Sequence, residues 1–222
     1  LPIETRSYKP VSHYDLSVNI ARVASELLRE FTLHKSQYGI ARNGDQLFGV
    51  HTFQNSGTEL GLSIAFRNSL DKSLSVGMAF GAQVFVCDNL ALTGSIVKIR
   101  KHTTKVWTDL EEMILTGVYR ARTSFIHAVD DAHRMQEIDI STDGAYRALG
   151  HLFGHQVLSP RQMPVALKEW QKPSHEAFEP RTLWSLYNAV TEALKSSPPQ
   201  SIMEKHIGLH QHLLPNQVSW QS

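Results

Sequence analysis

Apolar side chains recur along this chain in two different rhythms, and the change of rhythm divides it. From Asp15 to Lys35, Leu16, Ile20, Val23, Leu27 and Phe31 fall at three- and four-residue steps with Arg22, Glu26, Arg29 and Glu30 on other faces, predicting an amphipathic helix. The pattern then turns strand-like. YGIARNGDQLFGVHTF carries Asn43-Gly44 between two such runs, and Asn-Gly supplies the positive φ angles of a tight hairpin turn. Glu59 to Arg67 alternates as a further strand. Ser73 to Cys87 is too Gly-rich and apolar for a surface helix and reads as one bent strand or two short ones, with Gly77 and Gly81 as bulge candidates. An antiparallel meander of about four to six strands is expected.

Helical spacing returns after Lys105. Thr108-Asp-Leu-Glu111 fits the capping box, and behind it Leu110, Ile114, Val118, Ala121, Phe125 and Val129 form one apolar face down to Gln136. A helix starting at Asp139 to Thr142 carries Tyr146, Leu149, Leu152 and Phe153 and ends at Ser159-Pro160. A short helix over Pro164 to Trp170, a loop over Pro173 to Pro180 and a helix over Thr182 to Lys195 follow. SSPPQ then breaks the pattern. The expected fold is α+β: an antiparallel β-meander packed against helices, with a helical C-terminal portion. Its domain covers residues 1–195, sheet-rich over 37–105 and helical over 106–195, with a peripheral tail over 196–222. No internal repeat is present.

Composition narrows the chemistry. A formal charge of +1 gives no global pull toward nucleic acid or membrane, so electrostatic binding must be local. One cysteine excludes an internal disulfide framework or a Cys-based zinc cage, which favours a cytoplasmic setting. No apolar run approaches the roughly 18 to 20 residues that span a bilayer, so no membrane partner is expected. The first residues, LPIETRSYKP, lack the apolar core of a secretory signal, although the chain begins at Leu1 and not at Met.

Local chemistry concentrates between Arg67 and Trp107. The turn holding Asn68, Ser69, Asp71 and Ser73 has several short oxygen-bearing side chains but one carboxylate, too few for a hard-cation site, and reads as a turn held by its own hydrogen bonds. Cys87 reads as a small core hydrophobe. Lys98, Arg100, Lys101 and Lys105, with His102 among them, put four permanent positive charges within eight residues, and Trp107 follows. That cluster suits phosphate contacts, with Trp107 as a stacking platform for a base. Arg120, Arg122 and Arg134 extend the patch if they share its face.

His151 and His155 stand one helical turn apart, but HLFGH lacks the glutamate of H-E-x-x-H, and His206, His210 and His212 form a second group. Neither group supplies three or four arranged ligands by sequence alone, so no metal, cofactor or catalytic residue is assigned. Phosphate-binding, dinucleotide and serine-hydrolase motifs are absent.

These residues resemble the domain of unknown function 932 family of phage/plasmid-like proteins. Asn68, Ser69, Asp71 and Ser73 match its N-S-x-D-x-S turn, and Val86, Cys87, Asn89 and Ala91-Leu92 match its V-C-x-N-x-L segment. Ile99, Arg100, His102 and Thr103 match its I-R-H-T-like exit, with Lys101 as an extra residue. Thr182, Leu183, Trp184, Tyr187, Asn188, Ala189, Val190, Thr191 and Glu192 match the late T-L-W-x-x-Y-N-A-V-T-E motif. Leu70 and Lys72 stand where a His and a Gly are usual, and Leu90 replaces a Gly. A ligand held through that His would lose it in this copy.

The resemblance spans roughly residues 8 to 195 and implies a mobile-element or prophage setting without an established activity. The expected function is therefore a non-enzymatic, nucleic-acid-associated protein, binding or annealing single-stranded DNA as a homo-oligomer. Its helix–meander–long-helix order is similar to that of phage annealing proteins. The alternatives are an interaction protein that counters a host defence factor, and a metal-dependent hydrolase using His151, His155 and neighbouring carboxylates.

Overall fold

A computed structural model describes residues 2–6, 8–56, 59–98 and 106–214, with the backbone alone for Lys98. Five strands form one antiparallel sheet in sequence order: β1 (Thr32–Ala41), β2 (Gln46–Gln54), β3 (Leu60–Ser69), β4 (Gly77–Val84) and β5 (Leu90–Lys98). The β1–β2 turn has positive φ at Arg42, Asn43 and Gly44, as Asn-Gly requires. The α+β expectation holds, and the meander falls within the expected strand number.

Helix α1 (His13–Leu27) is shorter than its apolar spacing suggests. Ser12 caps it, accepting from Asp15 N at 3.3 Å, and Leu28 closes it onto Ala24 O with ψ near 60°. Residues from Thr32 onward find strand partners in β2 instead, Thr32 opposite Gln54 and Leu33 opposite Phe53. Phe31 still reaches the core, edge-on to Phe125 at 5.6 Å, but from extended chain. Tertiary pairing overrides helical periodicity here.

Helix α2 (Val106–Gln136) has 31 residues, so it runs about 46 Å. It begins at Val106, which is wholly buried, so Thr108 and Glu111 lie inside the helix and not at its boundary. Together α1 and α2 cover the front of the sheet, against Leu62, Ile64, Phe66, Met78 and Phe80. The last turns of α2 leave the sheet. Ala132 and Met135 join a second core built by α3 (Thr142–Gly154), α4 (Met163–Gln171) and α5 (Leu183–Leu194). Ser141 and Thr182 cap α3 and α5 through Gly144 N and Ser185 N.

Two expectations need correction. Helix α3 stops at Gly154 and not at Ser159, because Gln156 takes a positive φ and both Val157 N and Leu158 N return to Leu152 O. The tail expected to be peripheral contains α6 (Ile202–Leu213), which packs on the back of the sheet. Ile202, Met203 and Ile207 bury Phe48, Val50, Ala65, Ala79, Leu90 and Leu92 there, and Arg67 reaches Glu204 at 2.7 Å and Gln200 O at 3.0 Å. Strands β3 and β4 are therefore buried on both faces, which is why their sequences read as apolar runs with little alternation.

Candidate functional site

In sequence the basic cluster lies between the end of β5 and the start of α2. The Lys98 backbone pairs with Gly77, while Arg100, Lys101, His102 and Lys105 lie outside the described residues. Trp107 is half-buried against the front core. On α2, Arg122 meets Glu30 at 3.2 Å and Arg134 approaches Asp131 at 3.8 Å, so these cations are partly neutralised, while Arg120 is exposed.

The polar turn is tied to its neighbours by side-chain hydrogen bonds, although Asn68 Oδ1 is buried without a partner. Asn68, wholly buried, donates from Nδ2 to Val11 O at 2.7 Å and to His13 Nδ1 at 3.0 Å. His13 Nε2 then donates to Gly44 O at 2.9 Å, which fixes its tautomer and ties α1 to the β1–β2 turn. Ser69 Oγ bonds both Leu74 O and Leu74 N. Donors from Ser73, with Arg42 at 3.2 Å, hold the Asp71 carboxyl below the usual range. Gln46 Nε2 donates to Ser73 Oγ at 2.7 Å. The turn is a joint between elements.

Two motifs distant in sequence meet. Asn89, between β4 and β5, donates from Nδ2 to Asn188 Oδ1 at 3.0 Å and Asn188 O at 3.2 Å, across 99 residues of chain. Asn188 in turn donates to Trp184 O at 2.9 Å, and Trp184 stacks on Tyr187 at 5.3 Å. Lys195 Nζ donates to Cys87 O at 2.7 Å. Burial pushes the Cys87 thiol up to about 11, which leaves it un-ionised near neutral pH and unsuited to nucleophilic attack. Asn188→Ala removes the partner of a buried amide and is expected to cost about 1–2 kcal/mol, read as a lower urea midpoint. An unchanged midpoint would show the joint to be dispensable.

Behind this joint lies a cavity of about 280 Å³ between the sheet's back face and α5–α6. Phe48, Val50, Leu90 and Ile202 give it an apolar side. On its polar side Gln37 Nε2 donates to Asp88 at 3.1 Å and Gln83 Nε2 donates to Gln37 Oε1 at 2.9 Å, while Lys35 Nζ, outside the lining, meets Asp88 at 2.6 Å. The Thr52 hydroxyl donates to Gln83 Oε1. His206 Nδ1 donates to Leu90 O at 3.0 Å, and burial lowers its pKa to about 4, so the ring is neutral. The lining offers small mixed-polarity groups a place and presents no activated nucleophile. Gln83, a lone amide in the apolar run MAFGAQVFV, was passed over in the sequence and is a signal that could have pointed here.

The histidines sort into separate roles. His210 Nε2 donates to Asp131 at 3.1 Å and its Nδ1 accepts from Tyr187 at 3.4 Å, a phenol whose pKa burial raises. The His210 hydrogen bond is the main cause holding the Asp131 carboxyl below its usual range. His212 turns the other way. It meets His151 and His155, with His151 Nε2 and His212 Nδ1 3.0 Å apart. The three rings have centroids 4.3 to 4.9 Å apart. Neighbouring carboxylates, expected beside His151 and His155 in the hydrolase reading, are not part of this group.

No curated protein and no solved structure matches the chain. The family described as domain of unknown function (DUF932) matches residues 5–210, a span that takes in the Asn68 turn, the Asn89–Asn188 joint and most of α6. The chain belongs to that family.

Proposed function

We propose that the chain is a non-enzymatic, nucleic-acid-associated protein of a mobile element that binds single-stranded DNA through the connection between β5 and α2. The observation that supports this reading is the position of the cations along the sequence. Lys98, Arg100, Lys101 and Lys105 occupy the eight residues between a paired strand end and the wholly buried Val106. The first turn of α2 adds backbone N–H groups that favour an anion, although Asp109 lies in that turn. Trp107 packs against the core, so phosphate contact outweighs base stacking in this reading. Self-association belongs to the same proposal, since β1 is an edge strand with Leu33, Tyr38 and Ile40 exposed.

Four phosphate contacts predict that affinity for a labelled single-stranded oligonucleotide falls roughly fifty-fold between 50 and 200 mM salt, with a log–log slope near −3. Replacing Arg100 and Lys101 by Ala should bring the slope to roughly −1.4. Fluorescence anisotropy measures both. Absent or salt-insensitive binding overturns the reading. Capture of a host protein through β1 that survives nuclease would then favour the second reading, an interaction protein.

A further inference from the structure

Three imidazoles rarely gather without a reason, since each protonated ring repels the next. His151 and His155 come from the end of α3, and His212 comes from the last turn of α6. One ligand nitrogen from each lies within 4.8 Å of the others, the one such group of potential metal ligands among the described residues. A tetrahedral ion with metal–nitrogen bonds of about 2.0–2.1 Å needs its nitrogens roughly 3.3 Å apart. His151 and His212 already stand at 3.0 Å, and His155, which is exposed, has room to turn in. We infer that His151, His155 and His212 form a transition-metal site of the zinc class, which clips α6 to α3 and leaves one coordination position open to solvent.

The scaffold is fixed on both sides. Leu149 and Leu152 of α3 and Leu209 and Leu213 of α6 are buried in one core, so the ligands project from two helices anchored in the same packing. Burial first, and the neighbouring imidazoles second, hold His151 and His212 below the ordinary histidine range. Neutral rings keep the lone pairs that ligation needs. A set of three nitrogens with no carboxylate suits zinc, cobalt, nickel or copper and offers magnesium or calcium little. The spacing of His151 and His155 was visible in the sequence; His212 was not, because it joins only when α6 folds back. The site is independent of the DNA reading.

The full chain, purified without a histidine tag and stripped with chelator, is titrated with zinc against a chromophoric competitor, and with cobalt while visible d–d bands are followed. One zinc per chain is expected, with a cobalt spectrum of tetrahedral type and a rise in melting temperature. His155→Ala, at an exposed position, should weaken zinc binding at least about 100-fold, as ligand loss exceeds the 10–100-fold effect of losing an outer partner. His212→Ala should do the same. His133→Ala, an exposed histidine on α2, should bind as the parent does. Magnesium should leave the melting temperature unchanged. Zinc binding that is absent, or equally strong in His155→Ala and His212→Ala, overturns the assignment.

Discussion

Between pH 7 and 4.5 the protein is expected to lose roughly 2–3 kcal/mol of stability through His206 alone. Burial lowers the folded-state pKa of this imidazole to about 4, against about 6.5 in the unfolded chain. Its contribution is complete well above pH 6.5, where both states are neutral. As pH falls toward 4, the unfolded chain takes up a proton that the fold refuses. His51 adds in the same direction. It is buried between α1 and β1–β2, donating from Nε2 to Ser17 O at 3.0 Å and accepting at Nδ1 from Ser36 at 2.8 Å, and its pKa is likewise lowered by burial. Urea unfolding of the parent and of His206→Gln at both pH values separates the terms. Glutamine keeps an N–H for the Leu90 carbonyl and has no titration, so its pH dependence should be smaller by roughly 2–3 kcal/mol. Parallel losses in the two proteins would remove His206 from the account.

Gly81→Ala is expected to be the most damaging single methyl group in the sheet, at roughly 3 kcal/mol, the top of the usual range for overpacking. A Cβ at this position would overlap the Ala91 carbonyl oxygen and come within 2.9 Å of Leu92 Cα. Both obstacles are backbone, so no side chain can rotate away. β5 would have to move, and it is held by α2 in front and by α6 behind. For a chain of this length the loss corresponds to a fall in melting temperature of roughly 10 °C. Gly150→Ala is the matching control. That site is exposed on α3 with nothing within 4 Å, and alanine there should stabilise by about 0.5–1 kcal/mol. Equal melting temperatures for parent and Gly81→Ala would mean that β4 and β5 approach less closely than described.

Local signals carried most of the architecture. Asn43-Gly44 announced its hairpin, and the spacing of Leu110, Ile114, Val118 and Phe125 announced the buried face of α2. What stayed hidden depends on contacts between distant parts of the chain. Phe31 fits the α1 periodicity yet follows the helix, because strand pairing with β2 competes for the residues after it. Helix α6 has few strong local cues after SSPPQ, and its helical state follows from burying Ile202, Met203 and Ile207 on the sheet. The site residues divide in the same way. Asn89 and Asn188 were singled out by motif, but nothing local says that they touch. Gln37 and Asp88 were not singled out at all, since their roles arise when β1 and the β4–β5 turn are brought together.

The back of the sheet has a consequence for the chain as it is made. Each strand pairs with its sequence neighbour, so the meander can assemble soon after residue 98 emerges. Its cover, α6, begins only at Ile202. At about 5–20 residues per second, the ribosome takes roughly 5 to 20 s to make the intervening stretch. For that interval Phe48, Val50, Leu90 and Leu92 lie on a formed sheet without their final partner. Translation speed through α2 to α5 therefore sets how long this apolar face stays open to the wrong company.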